Sequence, residues 1–191
     1  TAWRKLVHKT GVKPGDHVLI WGAAGGLGTM AIQICKLFNA HAIAVASSDE
    51  KLELCKSLGA EYTINRRTQD VSQEVRNIVG RKGVEIVFEH PGQATAGLSL
   101  RLAGWGGKVV TSGATSGYDA SIDLRHIFFR QVQFIGSTLG TVGHLQEALD
   151  MVQEGHIKPV IHGVFPFSES GEAQRIVEED EANGKVVLIP D

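Results

Sequence analysis

Four glycines fall within seven residues in the stretch WGAAGGLG (21–28), between an apolar run and a helix-patterned one. A glycine-rich turn there aims backbone N–H groups at one point from a helix N-terminus, where unpaired donors and the macrodipole favour an anion. Gly25 and Gly28 have the spacing of the last two glycines of G-x-G-x-x-G, although Ala23 stands at the first position. A tight strand–helix turn with no ligand would also use these glycines. The preceding strand, the following helix and a second strand about twenty residues on favour a dinucleotide pyrophosphate at Gly25, Gly26 and Leu27, with Gly28 opening the helix.

The end of the second strand selects the nucleotide. A site for NAD usually carries an acid there, which accepts hydrogen bonds from the ribose hydroxyls. Here the strand ends at Ala46, followed by Ser47 and Ser48. Asp49 lies within the next helical turn, where a helix N-terminus accounts for it. With no acid at the strand end, a ribose 2′-phosphate meets no repulsion. Ser47 and Ser48 can donate to it, Lys51 lies one turn further, and Arg66 follows the third strand, which neighbours the second. This combination points to NADP(H) over NAD, while Lys51 alone reads equally well as a solvated helix charge.

The elements that must position these residues alternate. Apolar strands at 17–21, 41–46, 61–65, 84–89, 108–113 and 132–137 are separated by helical stripes, the first being Leu27, Met30, Ala31, Ile34, Cys35 and Phe38. Ser47 and Glu50 have capping-box spacing for the second helix, and further helices are expected at 94–102, 124–130, 144–153 and 168–180. The rhythm predicts an α/β fold, a doubly wound six-stranded parallel sheet (Rossmann fold) with its ligand crevice at the carboxyl ends of the strands. The dinucleotide-binding domain is expected over 1–154. Residues 155–191 exceed what the sheet needs and read as a return segment toward a catalytic domain missing from this sequence.

The formal charge of −2 supplies no electrostatic footprint for nucleic acid or acidic membranes. No apolar run approaches a membrane span, and a cytoplasmic location is expected. Cys35 and Cys55 fall on helix stripes, as core thiols in a reducing compartment do. The eight histidines and two cysteines show no metal-ligand spacing. No nucleophile–base pair is recognisable, so the catalytic residues remain unknown.

The segments GAAGGLG, SSDEKLELCKSLGAEYTIN, GGKVVTSGATSG, FFRQVQFIGST and GKVVLIP resemble, over the whole chain, the coenzyme domain of medium-chain dehydrogenases/reductases. That family includes zinc alcohol dehydrogenases, quinone oxidoreductases and enoyl reductases. FEHPG with TSGATSGY is most similar to crotonyl-CoA carboxylase/reductases, whereas YDASIDLRHIFFRQVQFIGST resembles prokaryotic zinc-alcohol-dehydrogenase-like proteins. The resemblance implies a nicotinamide lined by Gly113, Ala114, Ser137 and Thr138, with His90 and Pro91 under its ribose and Thr1 beside its ring. His90 reads either as a loop imidazole bonded to backbone or ribose, or as the histidine that helps hold carbon dioxide in the carboxylating reductases. Zinc ligands, where present, and the small-molecule substrate's contacts would belong to the absent N-terminal domain. In the family the sixth strand (132–137) pairs across a two-fold axis, which implies a homodimer.

The expected function is hydride transfer between NADPH and an enoyl-thioester, quinone or aldehyde/alcohol, by an enzyme of which this fragment alone is inactive. Two alternatives stay open: a stand-alone NADPH-binding or sensing module, and a zinc alcohol dehydrogenase whose metal ligands lie elsewhere.

Overall fold

The computed structural model describes residues 1–191. A π-helical segment, Arg4–Thr10, precedes the regular alternation β1 His17–Ile20, α1 Gly28–Leu37, β2 His41–Ala46, α2 Asp49–Ser57, β3 Tyr62–Asn65, α3 Val71–Val79, β4 Val84–Glu89, α4 Ala96–Leu102, β5 Ala103–Thr111, α5 Leu124–Arg130 and β6 Gln133–Gly136. Then follow α6 Val142–Gln153, β7 Ile161–Pro166, α7 Ser170–Glu178 and β8 Lys185–Ile189. Six strands form one all-parallel sheet in the order β3-β2-β1-β4-β5-β6. The expected doubly wound fold is therefore present, and its strand order reverses between β1 and β4.

Strand alternation builds two cores. Val18, Ile20, Ala42, Ala44, Ile86 and Phe88 face Ala31, Ile34 and Cys35 of α1 and Leu52 and Cys55 of α2. Leu19, Ile43, Val45, Ile64, Val87 and Val109 face the other way, onto Val71, Val75 and Val79 of α3 and Leu100 of α4. Both faces of the central strands are covered, which is why those strands are apolar throughout. The two cysteines are free and buried, and burial pushes the Cys55 thiol up to about 12. No helix is long and apolar enough to cross a membrane.

Several boundaries differ from expectation, four of them for a visible reason. Ser48, not Ser47, caps α2: its backbone is extended and its Oγ accepts from the Lys51 amide at 3.3 Å. Consecutive serines offer two equivalent registers, and the fold takes the later one. The fourth helix begins at Ala96, because the Gly92 carbonyl accepts from the Thr95 and Ala96 amides in a turn. The fifth strand starts at Ala103, ahead of a register shift against β4. The last helix splits into a 3₁₀ turn, Phe167–Glu169, and α7.

The C-terminal elements form a separate two-stranded parallel sheet, β7–β8. That segment folds back onto the glycine-rich turn: Gly184 pairs with Gly25, and its amide donates to the Ala24 carbonyl at 2.8 Å.

Candidate functional site

All six strands point their carboxyl ends to one edge, and at the switch between β1 and β4 Gly22 faces His90. Gly22 has φ +56°, and a Cβ built there would lie 2.8 Å from His90 Nε2, so the turn closes only with glycine. Gly28 is needed for a different reason. A Cβ there would lie 2.5 Å from backbone atoms of Ala23 and Gly22, where α1 crosses the end of β1. The amides of Leu27 and Gly28 make no hydrogen bond within the protein. They are free donors at the α1 N-terminus.

Beside them is a cavity of about 160 Å³, lined by Gly22, Ala24, Gly25, Ala46, Ser47, Lys51, Arg66, His90 and Asp180. Five residues expected from the sequence thus meet: Gly25, Ser47, Lys51, Arg66 and His90. Ser48 is not among them, because its hydroxyl serves the α2 cap. Arg66 is brought in by its amide, which donates to the Ala46 carbonyl at 3.0 Å and ties the ends of β2 and β3 together.

The cavity also holds a carboxylate that no local pattern announced. Asp180, just after α7, accepts from Ser47 Oγ at 3.0 Å and from Lys51 Nζ at 2.8 Å, and lies 3.6 Å from Arg66. Its carbonyl also accepts from Lys51. Burial would raise the Asp180 carboxyl, but the hydrogen bonds from Lys51 and Ser47 and the charges of Lys51 and Arg66 outweigh it and hold the group below the usual range. The acid absent at the strand end is therefore supplied by a residue 133 positions after Ser47.

The remaining expected residues fall into three groups. Thr1, Gly26 and Leu27 line an apolar cavity of about 240 Å³ together with Lys185. Lys185 lies across the turn, since a Cβ at Gly26 would come within 2.9 Å of its Nζ. Pro91, Gly113 and Ala114 sit where the loops after β4 and β5 are knitted together. The Pro91 carbonyl accepts from Ser116 N at 2.8 Å and Ser116 Oγ at 2.7 Å, and a Cβ at Gly113 would lie 3.1 Å from the His90 carbonyl. Ser137 follows β6 with its amide on the Thr111 carbonyl at 2.8 Å, and the Thr138 carbonyl accepts from Arg4 at 2.8 Å.

Two buried residues missed in the sequence hold the His90–Gly92 turn. Glu89 accepts from Gly92 N (2.9 Å), Thr95 Oγ1 (2.7 Å) and Ser99 Oγ (2.5 Å), and Ser99 in turn accepts from Trp21 Nε1 at 2.9 Å. Lys5, fully buried, donates to the Glu89 carbonyl at 2.6 Å and to Ser112 Oγ at 3.2 Å, with its ammonium 3.6 Å over the Phe88 ring. Burial pushes the Lys5 amine down to about 7, against the attraction of Glu89. Burial, reinforced by the Lys5 charge, pushes His90 down to about 4, so its ring is neutral at neutral pH.

A dinucleotide fits these residues. Free amides stand at a helix N-terminus, a serine, a lysine and an arginine converge at the β2 end, and His90 Nδ1 and Ser137 Oγ are buried polar atoms with no protein partner. A zinc ion does not fit, because no three His, Cys, Asp or Glu side chains gather in a metal-binding cluster. A further cavity, of about 950 Å³, is at the amino edge of the sheet among Arg76, Arg81, Arg101 and Arg130. Three of these arginines occupy the last turns of α3, α4 and α5, where a cation offsets the helix dipole.

Known proteins give the same picture. Crotonyl-CoA reductase of Streptomyces collinus is 36% identical over 208 residues, an alignment covering 99% of this chain and 46% of that protein. The solved structure of a 2-octenoyl-CoA carboxylase reductase, CinF, in complex with NADP and 2-octenoyl-CoA superposes with a TM-score of 0.89 at 36% identity, covering 100% of this chain and 47% of that one. The structure of an NAD-dependent alcohol dehydrogenase gives 0.91 at 39% identity, covering 100% and 56%. The chain spans about half the length of the curated relatives it matches. Residues 26–154 match the zinc-binding dehydrogenase family. The chain belongs to that family of medium-chain dehydrogenases/reductases, whose members are oxidoreductases, and it comprises the family's Rossmann-type nucleotide-binding fold.

Proposed function

We propose that residues 1–154 form the NADP(H)-binding domain of a reductase and that 155–191 complete the domain's ligand edge while leading toward a substrate-binding part of the enzyme. The observation that carries this is the convergence of Ser47, Lys51 and Arg66 at the end of β2, beside the free amides of the glycine turn. In this reading the amides of Leu27 and Gly28 hold the pyrophosphate, and Ser47, Lys51 and Arg66 hold the ribose 2′-phosphate. Neutral His90 presents its ring nitrogen to the nicotinamide ribose, while Gly113, Ala114, Ser137, Thr138 and Thr1 border the nicotinamide. The cofactor supplies the hydride. This chain's residues orient it and keep water out, and they need no nucleophile of their own. Substrates of the whole enzyme are an enoyl-thioester, a quinone or an aldehyde/alcohol, contacted mainly by residues outside this chain.

Titrating NADPH and NADH against the protein tests the assignment. A cation on a phosphate contributes about 1.5–3 kcal/mol, so Lys51→Ala with Arg66→Ala should weaken NADPH by at least about tenfold and NADH by less than about threefold. Equal losses for the two cofactors refute it. We also infer a homodimer through β6, whose outer edge lies at the end of the sheet with Phe134 41% exposed. Light scattering of the protein and of a Phe134→Lys variant checks this: a dimer that the variant splits agrees, and a monomer throughout refutes it.

A further inference from the structure

Lys51 is the pivot of the cavity at the β2 end. Its side chain is only 10% exposed, and the one anion it meets is Asp180. A nearly buried ammonium requires a partner, because its desolvation is otherwise uncompensated. Asp180 has been brought there at some conformational expense: it is one of four non-glycine residues with positive φ, at +57°. Its two carboxylate oxygens collect the donors Ser47, Lys51 and Arg66 that would otherwise take an external anion.

A phosphate monoester offers these donors three oxygens and a charge of about −1.5 to −2. It cannot share them with an ionised carboxylate, because two like charges at one set of donors repel. We propose that Asp180 is the built-in occupant of the 2′-phosphate subsite, a displaceable carboxylate that the phosphate must expel from Ser47, Lys51 and Arg66. This role rests on the assignment of those three residues to NADP(H) given above. Asp180 lies in the 179–184 connection between α7 and β8, outside either element. That connection is tethered by Glu181 N to the Ile176 carbonyl (3.0 Å), Asn183 N to His162 Nδ1 (3.2 Å) and Gly184 N to the Ala24 carbonyl (2.8 Å). Because the last of these sits on the glycine turn, expelling Asp180 loosens a segment in contact with the pyrophosphate cradle.

Asp180 therefore weakens 2′-phosphorylated ligands selectively. Calorimetric titration with adenosine 2′,5′-bisphosphate and with ADP separates the effects, using the protein, Asp180→Asn and, to suit the positive φ, Asp180→Gly. Both variants should tighten the 2′,5′-bisphosphate about tenfold, the worth of a charge-assisted contact, and leave ADP within about twofold. Hydrogen exchange of the unmodified protein gives a readout without substitution: amides 180–184 should exchange faster with the 2′,5′-bisphosphate bound than with ADP bound. Unchanged or weaker bisphosphate binding in both variants overturns the proposal, as does equal or slower exchange. A loss of ADP affinity in Asp180→Asn also overturns it, because the carboxylate would then be accepting hydrogen bonds from the ribose hydroxyls. Lys51→Ala shows which reading has failed. If it weakens the bisphosphate while the Asp180 variants do not tighten it, only the role of Asp180 falls. If it changes neither ligand, the 2′-phosphate assignment falls as well.

Discussion

Replacing Lys5 with methionine should stabilise the protein at neutral pH and flatten its dependence on pH above 7. The Lys5 amine is fully buried and pushed down to about 7 by burial, from 10.5 in an exposed lysine. Between these values the unfolded chain binds a proton that the folded chain does not, so stability rises with pH from 7 to 10.5. Below pH 7 the folded state carries the whole penalty of a buried ammonium, offset by its bonds to Glu89 and Ser112 and its position over Phe88. The interval of 10.5 − 7 = 3.5 units corresponds to at most about 5 kcal/mol. Methionine has similar length and no charge to desolvate, and because desolvation of the ammonium outweighs its attraction to Glu89, removing that charge is a net gain at pH 7. Urea unfolding of both proteins at intervals from pH 6 to 10.5 measures this. The difference between them isolates Lys5 from the other groups that titrate in this range. It should favour the variant at pH 7 and shrink steadily toward pH 10.5. Parallel profiles would refute the reasoning, because the amine would then be equally protonated in both states throughout.

Three further outcomes follow from the same geometry. His90, held down to about 4 against 6.5 in the unfolded chain, should show its NMR titration midpoint near 4, and stability should fall by up to about 3 kcal/mol as pH drops from 6.5 to 4, a slope that His90→Gln removes. Ser99→Ala strips Glu89 and Trp21 Nε1 of a shared buried partner and should cost about 1–3 kcal/mol in denaturant unfolding, with Ser99→Thr nearer to wild type. Gly28→Ala drives a methyl group to 2.5 Å from the backbone of Ala23 and Gly22; thermal unfolding should show a loss of about 1–3 kcal/mol, and cofactor titration a weaker nucleotide affinity.

The sheet was legible because each central strand is buried on both faces, so its apolar run is unbroken, and because helix stripes separate the strands at regular intervals. The glycine turn was legible because its requirement is local: Gly28 packs on residues five and six positions earlier. Where a signal was degenerate, as for the serine pair 47–48, the register came out one residue away, and one expected phosphate donor proved to be a helix cap. Lys5 and Asp180 could not be placed from their neighbours in sequence. A lysine on a short helical segment reads as a solvated charge, and only the fold brings Phe88, Glu89 and Ser112 around it. Asp180 stands in an acidic run, Glu178-Glu179-Asp180-Glu181, whose members look interchangeable until α7 ends and a positive φ turns one of them toward Ser47.

Asp180 changes what the β2 end says about cofactor choice. The presence or absence of an acid at that strand end is a sound criterion when every group contacting the adenosine ribose comes from the strand and the helix after it. Here the criterion, applied to Ala46, finds no acid, yet the folded cavity contains one on the same donors. What decides is then a competition: the affinity of Ser47, Lys51 and Arg66 for a dianionic phosphate against their affinity for a carboxylate already attached to the chain. The attached group has the advantage of effective concentration, and the phosphate has that of charge and a third oxygen. Lys51 is never left without an anion in such a scheme, which explains how its ammonium can be nearly buried in the protein before any ligand arrives. Under the proposed role of Asp180, residues 155–191 belong to the cofactor site as much as the glycine turn does. Their contribution reaches it through Asp180, Gly184 and Lys185.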